Sequence, residues 1–222
     1  DIYDYRKAIR KTAEKYSIHV GILKDEVTVS IDTSGTGLHK RGYRETGNEA
    51  PLKETLAAGL LLVSKWQPKI HLIDPFCGSG TIAIEAAMIA KNMAPGLKRT
   101  FDFEKWRWFD EATWKEARKL AQDRMKSDVE IQIEGYDIDK RSIGIARRNA
   151  ELAGVSDIVH FQVRDVKDFS TKYQYGYLIC NPPYGERLNE LDEVKKLYTL
   201  MGKVFEPYKT WSKYIITSYE DF

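Results

Sequence analysis

His71-Leu72-Ile73-Asp74-Pro75-Phe76-Cys77-Gly78-Ser79-Gly80-Thr81, with the run Ile82 to Met93 behind it, is the stretch whose reading decides the fold. It reads as a short apolar strand ending on an acid, a glycine-bearing loop, and a helix. That order is how α/β proteins hold a small ligand, against backbone N–H groups at a helix N-terminus. Gly78 and Gly80 are read as points where a ligand approaches the backbone closely; the alternative is a glycine turn made only for packing. The spacing is not G-x-G-x-x-G, and the lysine of a Walker loop is absent. Hydride transfer and nucleotide hydrolysis are therefore disfavoured.

Toward the C-terminus, strand and helix keep alternating. Ile131 to Asp139 is a second strand ending in acid, and Asp139 caps a helix from Lys140 to Ala153 that stops at Gly154. Ile158 to Val163 is a third strand, followed by Asp165 and Val166. Tyr175 to Cys180 is a fourth. Glu190 to Phe205 is an amphipathic helix with Leu191, Val194, Leu197, Tyr198, Met201 and Phe205 inward, and Lys213 to Thr217 is a fifth strand. The alternation predicts a doubly wound, mostly parallel sheet with right-handed crossovers. Ligands then bind beyond the carboxyl ends of the strands. Asp74, Asp137, Asp165 and Asn181 all fall at such ends and should line one crevice. The two oxygens of Asp137 suit a ribose diol. Asp165 either accepts from an adenine amine or is a turn residue.

The fourth strand runs into Asn181-Pro182-Pro183-Tyr184-Gly185. Two prolines end the ladder and hold the chain as a stiff hook. The Asn181 Oδ1 and the Pro182 carbonyl can accept from a planar NH2 group, with Tyr184 against the ring face. The competing reading is a proline-rich turn with a surface tyrosine.

Toward the N-terminus, Pro51 to Lys65 reads as a helix with Leu52, Leu56, Gly59, Leu60 and Val63 on its buried stripe. Residues 32–47 carry four glycines and the basic cluster Lys40, Arg41 and Arg44, interleaved with His39 and Tyr43. This is either a solvated loop or a loop that contacts single-stranded nucleic acid. Ile18 to Ile22 and Val27 to Ile31 alternate about a polar turn and predict a β-hairpin. Residues 1–16 have a helical stripe. Residues 94–128 break the alternation as an insertion holding Phe101, Phe103, Trp106, Trp108, Phe109 and Trp114, with a polar helix from about Glu111 to Met125. Core packing of these rings is expected over an exposed stacking platform. Residues 1–47 thus form an extension, and 48–222 the α/β domain.

The 222 residues, 42% hydrophobic and 31% charged, are enough for one α/β domain with a proper core. A net charge of +2 is too small to imply nucleic-acid binding, so any basic surface is local. Two cysteines and no signal-like start argue against a secreted disulfide framework, and Cys77 and Cys180 are expected as free thiols. No apolar run approaches the roughly 20 residues of a membrane span. A cytoplasmic protein without membrane or metal partners is expected. The chain opens on Asp1 rather than Met, as a piece of a longer protein would.

An ordered set of motifs carries a family resemblance. It comprises Leu38-His39-Lys40-Arg41-Gly42-Tyr43-Arg44, Ala50-Pro51-Leu52-Lys53-Glu54, Asp74 to Thr81, Ala94-Pro95-Gly96-Leu97, and Asn181-Pro182-Pro183-Tyr184-Gly185-Glu186-Arg187. With it the chain resembles the class I S-adenosylmethionine-dependent methyltransferases of the Asn-Pro-Pro-Tyr subgroup. More narrowly, it resembles the THUMP-associated, RlmL-type guanine-N2 methyltransferases of 23S ribosomal RNA. The resemblance implies a Rossmann-like fold whose last two strands follow Phe222, and an RNA-capturing domain upstream of the hairpin. It implies S-adenosylmethionine as cofactor, its methionine part over Asp74, Pro75, Cys77, Gly78, Gly80 and Thr81 and against Pro51, Leu52 and Lys53. Asp137 takes the ribose, Ile138 and Val166 sandwich the adenine, and Asp165 accepts from its amine. Asn181, Pro182 and Tyr184 hold the base to be methylated, and His39, Lys40, Arg41, Tyr43, Arg44 and Arg187 contact RNA. The same hook serves adenine-N6 methylation of DNA or RNA and glutamine-N5 methylation of proteins. A non-catalytic RNA-binding module with this fold is a further alternative.

Overall fold

The computed structural model describes residues 16–44, 52–184 and 191–219. The helix expected over residues 1–16 lies outside these apart from Tyr16, and Pro51 and Arg187 also lie outside. The hairpin is formed by β1 (Ser17–Leu23) and β2 (Glu26–Asp32). A separate five-stranded sheet contains β3 (Leu72–Asp74), β4 (Ile133–Asp137), β5 (Val159–Val163), β6 (Gly176–Cys180) and β7 (Trp211–Ile215), in the order β5-β4-β3-β6-β7. Every pairing in it is parallel. From the central β3 the chain steps outward through β4 to β5, then crosses back to β6 on the other side. The winding reverses between β3 and β6, where open α/β sheets take their ligands.

Alternation along the strands divides the core into two layers. Leu72, Ile133, Phe161 and Ile179 face α2 (Thr81–Ala90) and α4 (Lys140–Ala153), with α1 (Glu54–Val63) packed on α2. Ile73, Tyr136, Leu178 and Cys180 face α5 (Leu191–Phe205). Nine of the ten residues of α2 are buried, because it lies between the sheet and α1. The ring of Trp211 lies over Gly176, where a Cβ would stand 2.5 Å from the indole. This pairing starts β7 at Trp211, two residues before the expected Lys213.

The helix expected from Pro51 begins only at Glu54, with Lys53 extended (φ −66°, ψ 137°). Its buried face is Glu54, Ala57 and Leu61, while Leu56 and Val63 are exposed. The expected stripe is therefore rotated. A run as uniformly apolar as Leu56 to Val63 has no periodicity to set its phase. Small Ala57 and the partner available to Glu54 set it instead.

The insertion is held by its own rings. Phe103 lies 5.0 Å from Trp114 and 4.6 Å from Phe109, and Phe101 meets Trp114 edge-on. Trp106 is buried, so core packing is the observed use of these residues, except that Trp108 is 68% exposed. α3 (Glu111–Asp123) follows, capped by Asp110. Ile18, Val20 and Ile22 pair across the hairpin with Ile31, Val29 and Val27, and all six are exposed among the described residues.

Candidate active site

The carboxyl ends of the four strands β5, β4, β3 and β6 bring Asp165, Asp137, Asp74 and Asn181 to one edge in that spatial order. Asp74 ends β3 opposite Gly135 and is 1% exposed. Its Oδ1 accepts from Phe76 N–H at 3.1 Å. Burial pushes its carboxyl up to about 8, and the nearby Asp137 charge adds to the shift. Asp137 Oδ2 accepts from Gly78 N–H and Oδ1 from Asp139 N–H, both at 2.9 Å. One carboxylate thus braces the glycine loop and the turn into α4, while each oxygen keeps a lone pair for a further donor. Asp139 caps α4 through Arg141 and Ser142 N–H, as the sequence predicted.

Three further contacts set the loop. Cys77 N–H bonds Tyr136 O at 2.8 Å, Gly80 N–H bonds Cys77 O at 2.7 Å, and Asn149 Nδ2 bonds Ser79 O at 3.1 Å. Gly80 has φ +86°, and a Cβ there would stand 2.7 Å from the Phe161 ring and 3.0 Å from Ala146. Gly80 therefore serves packing, letting α2 close onto α4 and β5, rather than opening space for a ligand. Pro75 lies in the turn after β3, and Thr81 begins α2. Cys77 and Cys180 are free buried thiols, both pushed up by burial.

Ile138, directly after Asp137, is 70% exposed and offers an open apolar face at this edge. Val166 is 7% exposed and packs into the core on the α5 side, so it offers little of the second face expected of it. Asp165 caps the turn Val166–Asp168, accepting from Lys167 N–H and pairing with Lys167 Nζ at 3.0 Å. These contacts hold its carboxyl below the usual range. The turn-residue alternative describes its present contacts.

At the hook, the Tyr184 hydroxyl donates to Asn181 Oδ1. That bond takes one lone pair of the Asn181 amide oxygen and leaves the other for a further donor. Tyr198 O–H donates to Pro183 O at 3.0 Å and meets Thr217 Oγ1 at 2.8 Å. The sequence placed Tyr198 on the inward face of its helix but not as the anchor of the hook. Asn149 was missed in the same way, although a polar residue on the buried stripe of Ile143, Ala146 and Ala150 was its visible signal.

The basic linker behaves differently from expectation. Tyr43 is 1% exposed and donates to Glu85 Oε1 at 3.1 Å, so it packs inside and offers no ring to a base. Arg41 pairs with Glu85 at 3.4 Å. Arg44 pairs with Glu54 at 3.4 Å and donates to Thr81 Oγ1 at 2.5 Å. Both arginines neutralise buried acids, where a lone carboxylate would be costly. Burial pushes the carboxyl of Glu85 up, against the pull of Arg41. Lys40 and Lys53 stay exposed, His39 is half-buried, and Leu52 packs on the core from the start of α1. Among the described residues no group of three or more His, Cys, Asp or Glu could hold a metal, and no helix is long and apolar enough to cross a membrane.

A parallel, doubly wound sheet with acids at three adjoining strand ends and an Asn-Pro-Pro hook beside them defines the Rossmann-like methyltransferase class. Residues 41–222 match the UPF0020 family, described as the RMKL-like methyltransferase domain, and the chain belongs to that family. It is 47% identical over 214 residues to the Bacillus subtilis (strain 168) protein named "Putative RNA methyltransferase YpsC", covering 96% of this chain and 56% of that one. It is 44% identical over 206 residues to ribosomal RNA large subunit methyltransferase K/L of Shewanella baltica (strain OS195), covering 90% of this chain and 29% of that one. The chain therefore spans about half, or less, of the length of these relatives. Among solved structures, "SMU.472, a putative methyltransferase complexed with SAH" superposes with a TM-score of 0.86 at 47% identity, covering 93% of this chain and 54% of that one. A Listeria monocytogenes str. 4b F2365 structure described as "a predicted N6-adenine-specific DNA methylase" superposes with a TM-score of 0.88 at 46% identity, covering 99% and 59%.

Proposed function

We propose that this chain is the catalytic domain of an S-adenosylmethionine-dependent RNA methyltransferase acting on guanine N2 of large-subunit ribosomal RNA. The observation that carries the proposal is the convergence of Asp137, Asp74 and Asn181 at the edge where the winding reverses. The relatives named for ribosomal RNA and the neighbour holding SAH support the substrate class and the cofactor. The residues at the edge fit that cofactor. Asp137 retains acceptor capacity for ribose hydroxyls, Ile138 presents an apolar face to adenine, and Asp165 can exchange Lys167 for the adenine amine. Asp74, Pro75, Cys77, Gly78 and Thr81 frame the methionine end, with Leu52 and Lys53 before α1.

The bound cofactor supplies an electrophilic methyl group on a sulfonium. The chain supplies position. The guanine N2 lone pair is delocalised into the ring and attacks poorly. Asn181 Oδ1 and the Pro182 carbonyl accept the two N–H bonds of the amine and aim its lone pair at the methyl. Holding the reacting atoms in line converts the encounter into a nearly unimolecular step. A new C–N bond forms as the C–S bond breaks, and the amine proton leaves to solvent. Tyr184 stacks on the flipped base and offsets part of an unstacking cost of a few kcal/mol. The bond from Tyr198 to the Pro183 carbonyl anchors the hook.

The test is labelled methyl transfer by the full-length protein to unmodified large-subunit ribosomal RNA, with nucleoside analysis of the product. N2-methylguanosine is expected. Asn181→Ala should lower transfer by about 10²-fold or more, with cofactor affinity by calorimetry unchanged. Near-normal methylation by that variant would sink the assignment. A second reading, adenine-N6 methylation of DNA, draws on the description of the Listeria neighbour. It predicts N6-methyladenine in DNA instead, because Asn181 and Pro182 accept from either amine.

A further inference from the structure

A cleft of about 1090 Å³ opens between the linker after the hairpin and the insertion. One wall runs along Thr36 to Arg44 and the head of α1; the other runs along Leu97 to Thr100 with Arg118. The walls are fastened to each other. Gly42 (φ +93°) lies so close that a Cβ would stand 2.4 Å from the Lys98 carbonyl oxygen. The Arg99 guanidinium donates to Gly37 O at 2.9 Å and Ser34 O at 3.2 Å. Arg118 in turn donates to Leu97 O at 3.0 Å. The cleft is thus a built groove rather than a gap between loose loops.

Its lining holds seven lysines and arginines against two glutamates. Glu54 is paired with Arg44, Glu104 with Arg118, and Arg41 with Glu85 behind the wall, all within 3.4 Å. Lys40, Lys53 and Lys98 are exposed, and the hydrogen bonds of Lys98 (to Leu152 O at the end of α4) and of Arg99 go to neutral backbone carbonyls. Positive charge is therefore in excess along both walls. A groove walled by cations suits a polyanion. At its inner end, Arg44 reaches Thr81 at the head of α2, directly after the glycine loop.

We infer that this cleft holds the sugar–phosphate backbone of the substrate RNA, with the insertion supplying the second wall through Lys98. The inference rests on the reading of the chain as an RNA methyltransferase. It assigns the insertion a role in RNA capture and moves the contact from the linker alone to the groove between linker and insertion. Phosphate contacts position a nucleic acid and carry no sequence information. Binding here is accordingly salt-dependent and indifferent to base.

The experiment compares the full-length protein with its Lys40→Ala/Lys98→Ala variant. Binding of a labelled single-stranded polyuridine oligomer is followed by fluorescence anisotropy across a salt series. Each phosphate contact on a single strand contributes about 0.7 to the slope of log affinity against log salt. The double variant should lose about 1.4 of that slope and bind roughly tenfold or more weakly at 0.1 M salt. Its melting temperature and its affinity for SAH should match the parent. Parent-like affinity and slope in the variant overturn the inference. If that variant also methylates ribosomal RNA at the parent rate, the inference falls while the proposed function stands. If the parent neither binds polyuridine nor methylates ribosomal RNA, both fall together.

Discussion

Asp74 is the residue whose position is least comfortable. It closes the central strand at 1% exposure, with Phe76 N–H as its hydrogen-bond donor and Asp137 as an acidic neighbour. Its carboxyl, raised from 3.8 to about 8, is protonated in the folded chain at neutral pH. The unfolded chain releases that proton near pH 4. Between these values the folded state binds more protons, so the contribution of Asp74 to stability falls as pH rises from about 4 to about 8. Urea unfolding of the parent should show this loss, and Asp74→Asn, which has no proton to release, should flatten it. An identical pH profile in both would remove the buried proton from the account. The acid itself was legible in the sequence, as the last residue of an apolar strand. Its protonation was not, because that depends on how completely β4, β6 and the loop exclude water.

At the scale of elements, α1 shows where periodicity stops being informative. Leu56 to Val63 is apolar almost throughout, and the face turned inward is chosen by neighbours. Ala57 and Leu61 are buried against α2, and Glu54 meets Arg44. Leu61→Ala should therefore cost about 2–5 kcal/mol of unfolding free energy. Leu62→Ala, at a 72% exposed position, should stay within about 0.5 kcal/mol. Denaturation midpoints of the two variants decide it, and equal losses would mean that the face is wrongly assigned. By contrast, α4 and α5 match expectation because polar residues interrupt their apolar stripes and so declare a phase. β7 slipped by two residues because its register answers to Trp211 over Gly176, a contact between strands far apart in the chain.

For the molecule as a whole, the question is how the hairpin and its linker attach to the α/β domain. Arg99 is the staple. Its guanidinium donates to the carbonyls of Ser34, Thr36, Gly37 and Lys40, and Phe103 N–H reaches Thr33 O at 3.2 Å. Charge-assisted bonds of this kind contribute about 1.5–3 kcal/mol each when buried and less when exposed. Arg99→Ala should raise amide exchange over Ser34 to Arg41 by about tenfold or more, with exchange in β3, β4 and β6 unchanged. Uniform protection of the linker in that variant would show that other contacts hold it.

The sequence by itself determined the strand and helix order, the parallel winding and the acids at the strand ends. All of these follow from local periodicity and from the obligation of the backbone to pair. It also marked the Asn-Pro-Pro hook, since proline stops a ladder wherever it stands. Only the tertiary structure decided that Tyr43, Arg41 and Arg44 turn inward to buried acids, that Gly80 serves Phe161, and that Tyr184 closes on Asn181. Each of these outcomes is a competition between partners brought together from distant segments. Burial sets its result by making an unpaired charge or an unfilled space more costly than the alternative.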